Sequence, residues 1–282
     1  TRAMSFMPMT LATLHRYWNG GALGWLVMFA AAVALNGLVS GYFLIYFGVL
    51  VVLAIGWLSV AFPDRRKLAA VLGALGVAAL AVWPVFSTYR AVQDEWHLGR
   101  SINEVEAFSV DLSSIAHGGT HLALWPVKAP LHSSERAGYP GIAIGGLIVA
   151  AALMAVRNRR KDLPFRSWRG MAVGALAAIS GVTFTAGVVA FLIGRASYKV
   201  FGVAIDLALI AILLSSRFTR LVRSGSLIGL YATGAVIAWL LALGPTARVF
   251  GHRFWYKAPF SWFMQWPGFD NARVPARFLS VE

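Results

Sequence analysis

Long apolar runs separated by short polar breaks dominate the chain. They cover about Ala22–Leu38, Tyr42–Phe62, Leu68–Phe86, Tyr139–Val156, Met171–Gly194, Val200–Ser216 and Leu227–Leu243. Each is close to the roughly 20 residues that a helix needs to cross the apolar core of a bilayer. In hydrocarbon only helices or closed barrels satisfy every backbone polar group. The pattern therefore predicts an all-α fold: a polytopic transmembrane helix bundle of about seven spans, forming one transmembrane domain over residues 1–282. The breaks after the second, fourth and sixth runs hold Arg65, Arg66, Lys67, Arg157, Arg159, Arg160, Lys161, Arg166, Arg169, Arg217, Arg220 and Arg223. Cytoplasmic loops carry such an excess of cations. Alternation then leaves two polar stretches, 87–138 and 244–278, on the extracytoplasmic side. Residues 1–20, with His15, Arg16, Tyr17 and Trp18, read as a basic, aromatic segment at the membrane edge.

Composition sharpens this. The chain is 59% hydrophobic and 13% charged, against about 25% charged in soluble domains. Its net charge of +14 would suit nucleic acid, but the cations lie in breaks between spans, so nucleic-acid binding is excluded. With no cysteine, there is no disulfide framework, thiol nucleophile or cysteine metal site. The pairs Gly141/Gly145 and Gly170/Gly174 have the spacing that lets membrane helices approach closely. No signal peptide is evident, and Arg277–Glu282 reads as the entrance to another helix, so a fragment of a longer protein is expected.

The interval 87–138 concentrates titratable groups. It holds Asp94, Glu95, Glu104, Glu106, Asp111, Glu135, His97, His117, His121 and His132. Ser101-Ile102-Asn103-Glu104 is a capping box. Ile102, Val105, Phe108, Leu112 and Ile115 then recur at helical spacing until Gly118-Gly119. The expectation is an amphipathic helix over 102–116, lying on the extracytoplasmic membrane surface. In such a helix Glu104 and Asp111 share one flank about 10 Å apart, and Glu106 takes the opposite flank. Glu104 reads either as a base or as a cap partner paired with Arg100; Asp111 reads either as a base or as a water-facing carboxylate. Gly118-Gly119 interrupts the His117/His121 spacing, so no metal site is assigned, and no cofactor is implied.

The stretch 244–278 is dense in aromatics, including Phe254, Trp255, Tyr256, Phe260, Trp262 and Trp266, interleaved with Arg248, His252, Arg253 and Lys257. Most of it reads as an interfacial belt with snorkelling cations. Arg273 and Arg277, four apart, form a cationic pair suited to a lipid phosphate or pyrophosphate. Asp206 is the only acidic residue within a predicted span. It reads either as an intramembrane functional group in the outer third of its helix or as a partner of Thr183 or Thr185.

Two patterns carry a resemblance. One is Tyr89-Arg90 with Arg100-Ser101 and Glu104, after a span ending near Pro84. The other is Leu243-Gly244-Pro245, then Pro267-Gly268-Phe269 and Arg273-Val274-Pro275-Ala276-Arg277-Phe278. Together, over residues 40–282, they resemble the central and C-terminal part of polytopic bacterial proteins grouped with the GT-C membrane glycosyltransferases. The resemblance implies sugar transfer from a polyprenyl-phosphate donor at the extracytoplasmic face of the bacterial inner (plasma) membrane. It makes Arg90, Arg100, Arg273 and Arg277 candidate substrate-binding residues and Asp111 and Glu104 candidate carboxylates. In GT-C enzymes the catalytic acid lies in the first outer loop; here only the turn at Gly41 occupies that place. That acid is then expected in helices N-terminal to this chain. A secondary transporter centred on Asp206 and a non-enzymatic membrane assembly protein are the alternative readings.

Overall fold

The computed structural model describes residues 6–96, 102–116, 172, 175–176, 178–183, 185, 198–249, 251–265 and 274–275. These residues are mostly helical. The expected span 139–156 lies outside them, as do Arg100, Arg273, Arg277, His117 and His121. Most of the expected span 171–194 does too; its described residues are helical, and Ser180 Oγ donates to the Ala204 carbonyl at 2.7 Å.

Helix α1 (Phe6–Gly20) buries Met7, Thr10, Leu11, Leu14, Tyr17 and Trp18. This three-and-four spacing makes one continuous stripe, so the first segment is a packed helix. The chain turns at Gly20-Gly21 and α2 (Leu23–Val39) returns alongside it. Asn36 on α2 donates to the Thr10 hydroxyl at 3.0 Å and to Ala32 O at 3.1 Å. A hydrogen-bonded polar pair of this kind is what an apolar interface tolerates.

Helix α3 (Gly41–Ala61) and α4 (Arg65–Glu95) follow. Asp64 caps α4, its carboxylate accepting from Arg66 N and Lys67 N. Helix α4 is 31 residues long, or about 46 Å at 1.5 Å per residue. It runs through Pro84 and on to Glu95, so the polar interval begins as helix rather than loop. The hydroxyls of Ser87 and Thr88 cap the Pro84 carbonyl.

Beyond the described part of 172–185 come α6 (Tyr198–Leu214), α7 (Ser216–Arg223) and α8 (Leu227–Ala242). Helices α6 and α7 meet at 52°, with Ser215 capping α7 by accepting from Phe218 N. The arginines expected in a loop after span six therefore sit on a helix. Two helices, α3 and α4, are long and apolar enough to cross a membrane, and α6 with α7 would make a third; α2 and α8 are shorter apolar helices. Large apolar side chains such as Val52, Val77, Leu80, Val203 and Ile228 face outward.

Two departures matter for the site. The segment 102–116 is not one helix. It is α5 (Ile102–Ala107), a turn, and a 3-10 helix Leu112–Ala116. After α8 the chain forms an antiparallel hairpin, β1 (Thr246–Val249) and β2 (His252–Tyr256), so the fold is not purely α. A short helix α9 (Phe260–Phe263) follows.

One core joins α1, α2, α3, α4 and the start of α8. A second, at the other end of α3, joins Tyr46, Val105, Val110, Leu241, Ala242, Phe260 and Val274. A third seats Trp255 among Leu112, Ile205, Leu209 and Trp239. Trp255 is 1% exposed and lies on Gly202 of α6, where a Cβ would come within 2.8 Å of its ring. The Gly202→Val substitution is therefore expected to unseat the indole and cost about 1–3 kcal/mol; an unchanged melting temperature in detergent would rule this packing out.

Candidate functional site: a junction of two polar segments

The hairpin sets the geometry. Its register pairs Arg248 directly with Arg253, beside a bulge between Ala247 and Arg248. Like charges in directly opposed positions destabilise a strand pair. Glu106 resolves this from α5: its Oε2 accepts from Arg248 Nη2 at 2.5 Å and Arg253 Nη2 at 3.0 Å. Its side chain is 7% exposed, against 31% for Arg248 and 49% for Arg253. Burial alone would push the Glu106 carboxyl up. A hydrogen bond from the Thr246 side chain and the charges of Arg253 and Arg248 outweigh it and hold the group below its ordinary value of 4.5.

Asp111 makes the second link. Its Oδ1 accepts from Ser113 N at 2.8 Å and Ser113 Oγ at 2.5 Å, and its Oδ2 accepts from Gly251 N at 2.8 Å. Asp111 also bridges Arg248 through the backbone, in parallel sense, and Val110 N donates to Ala242 O at 2.9 Å. Asp111 thus meets the hairpin at β1, while Val110 is tied to the end of α8. Gly244, at φ +74°, lets the chain leave α8 against Ser109, whose hydroxyl a Cβ would overlap.

The carboxylates expected to share a helical flank therefore part company. Glu104 is half-exposed in the first turn of α5. Asp111 is buried rather than water-facing, with both oxygens engaged in turn and hairpin bonds. Glu106, assigned no role from the sequence, is the central carboxylate. Arg248 and Arg253 were visible only as cations within an aromatic run. The one signal that could have found them is the aromatic run Phe254-Trp255-Tyr256 shortly after Gly251, which suits a strand bounded by a turn. Arg90 is exposed in the last turns of α4. Arg273 and Arg277 lie outside the described residues, but Val274 is buried with Val105 and Val110, and Pro275 lies beside Gly244.

Asp206 is the ninth residue of the 17 in α6. Thr183 and Thr185 do not pair with it; their hydroxyls donate to Ile179 O and Gly181 O of their own helix. Instead the Trp255 indole faces the Asp206 carboxyl without closing a hydrogen bond of ordinary geometry, and Asp206 Oδ1 has no partner among the described residues. Arg248 Nε is likewise buried and unpartnered among them. No three His, Asp or Glu side chains among the described residues converge as metal ligands. No protein-family model, curated protein or solved structure matches the chain.

Removing the Glu106 charge leaves two facing guanidinium groups uncompensated. The Glu106→Gln variant is expected to lose about 2–3 kcal/mol, less than a fully buried pair because both arginines reach water. Because folding lowers this carboxyl, its contribution is complete at pH above 4.5 and fades as the pH falls below that value. Melting curves in detergent at pH 7 and at stepwise lower pH test both points; a wild-type and variant difference independent of pH would refute the assignment. For Asp111→Asn, an amide nitrogen replaces one acceptor oxygen, so the Ser113 or the Gly251 bond fails at a cost of about 1–3 kcal/mol. Faster proteolysis of the hairpin in this variant is the expected readout, and resistance equal to wild type would dismiss the link.

Proposed function

We propose that this chain is part of a membrane glycosyltransferase-like protein of the GT-C type, acting on polyprenyl-phosphate-linked sugars at the extracytoplasmic face. The observation that carries the reading is the Glu106 bridge to Arg248 and Arg253, which joins the acid-rich and the arginine-rich segments into one unit at one end of the helices. A transferase site assembled from two outer segments needs such a junction. A transporter would have no use for it, and an assembly protein without a site would tolerate the segments apart.

The chemistry available there is anion recognition. Arg248, His252, Arg253 and Lys257 line the hairpin, and Arg253, His252 and Lys257 are exposed. Guanidinium groups take phosphate oxygens in pairs of parallel hydrogen bonds. By the resemblance, Arg90, Arg273 and Arg277 are further candidates for the same phosphate, and Val274 is buried in the core that holds α5. Glu106 and Asp111 are occupied in holding the unit together. The catalytic base is accordingly assigned either to Glu104 or to a segment outside this chain.

A second reading rests on Asp206, whose Oδ1 lacks a partner in the middle of an apolar helix. Intramembrane carboxylates of this kind serve proton or ion transport. One experiment separates the two. The full-length protein, reconstituted in liposomes with a polyprenyl-phosphate-linked sugar, is expected to transfer sugar. Arg273→Ala with Arg277→Ala should lower that transfer at least tenfold, and Asp206→Asn should leave it within about threefold, the tenfold loss corresponding to one phosphate contact of ~1.4 kcal/mol. No transfer by the wild type, together with an Asp206-dependent proton flux, would replace the proposal with the transporter reading.

A further inference from the structure

Helix α7 breaks away from the line of α6. It carries Arg217, Arg220 and Arg223 in eight residues, all exposed, and it leaves α6 at 52°. Three charges in eight residues are costly within hydrocarbon. Its other face is apolar: Phe218 and Val222 pack on the core that holds Leu14, Trp18, Trp57 and Leu58, and the Phe218 ring meets Trp57 edge-on at 6.2 Å. The helix therefore lies across the end of α3 with its arginines turned away from the protein.

More cations gather at that end. Gly225, just after α7, sits against the Phe62 ring that closes α3. Arg65 and Arg66 open α4 two residues beyond Pro63 and are exposed; Lys67 is tethered through Nζ to Trp18 O at 2.7 Å. Trp18 in turn donates to Phe62 O. Arg16 is exposed, its guanidinium stacked 5.3 Å from the Trp25 ring. Asp64 is the one acidic side chain in these segments, and its carboxylate is committed to capping α4. Leu227 and Ile228, immediately after the cations, are exposed and apolar.

We infer that this end of the molecule binds anionic phospholipid headgroups, with α7 lying in the interface and Arg217, Arg220 and Arg223 taking the phosphates. The inference rests on the reading of the chain as membrane-spanning, not on the glycosyltransferase proposal. The abrupt change from three arginines to exposed Leu227 and Ile228 fits a headgroup boundary. It does not fit a soluble polyanion or an acidic protein, which would leave those apolar side chains in water. Clusters of cations beside a span recognise anionic lipid, each gaining about fivefold near a charged surface, and a short helix with one apolar and one basic face lies in the interface plane.

The test uses the full chain extracted from vesicles of equal phosphatidylglycerol and phosphatidylcholine, with retained lipids counted by native mass spectrometry. The wild type is expected to retain phosphatidylglycerol at least fivefold over phosphatidylcholine. The triple variant Arg217→Gln, Arg220→Gln, Arg223→Gln should fall to near parity. If the triple variant does not fold, Arg220→Gln alone should still halve the preference. Raising the salt from 0.15 to about 1 M shortens the screening length from about 8 to 3 Å and should weaken it further. A triple variant with wild-type preference, a wild type with none, or RNA or an acidic protein retained in place of lipid would overturn the inference. A chain that stays in water without detergent would instead defeat the membrane reading beneath it.

Discussion

The two arginines of the hairpin, placed face to face by its register, set the terms for everything around them. Arg248 and Arg253 destabilise a two-stranded ribbon unless an anion lies between them. Glu106 is that anion, and it comes from a helix far away in sequence. The hairpin thus depends on α5, and α5, only six residues long, depends on the hairpin. Isolated helices of this length do not persist in water. Neither element has an independent reason to fold; together with Val110, Val274 and Phe260 they share a core that anchors both to α3 and α8.

Ion pairing of this kind gives shape more than stability. A partly buried pair returns little net energy after desolvation, yet its loss is costly because one charge is left without an answer. The same logic governs Asp111, whose carboxylate substitutes for missing strand partners at the turn of the hairpin. Polar groups that looked from the chain like chemistry are spent on architecture, and the cations that remain accessible are the ones facing outward.

Much of this architecture is legible in the sequence. The apolar runs at Tyr42–Phe62 and Leu68–Phe86 are helices, and those at Ala22–Leu38, Val200–Ser216 and Leu227–Leu243 match α2, α6 and α8 within a few residues. Hydrophobic length is a strong signal because it counts backbone groups that must be satisfied internally. The polar segments were harder for a physical reason. The spacing of Ile102, Val105, Phe108 and Leu112 is compatible with one helix, but Val110 and Asp111 gain more by bonding Ala242 and Gly251, and the helix yields after Ala107. Local periodicity cannot register a partner 140 residues away. The strands escaped notice because aromatic and basic residues at a membrane interface and in a short hairpin have nearly the same composition. The stripe of α1 escaped for a different reason: Thr10 and Thr13 interrupt its apolar face, and their hydroxyls fold back onto Phe6 O and Met9 O.

The separation of Glu106 from Arg248, 142 residues, also has a consequence in time. A ribosome adding about 5–20 residues per second needs roughly 7–30 s to cover that distance. Through that interval residues 102–107 wait on the nascent chain with a carboxylate and no counter-charge, while the helices between are still being delivered. The polar unit therefore closes only after the helices between its two halves are made, and the cell must keep an unfinished segment from finding other partners first.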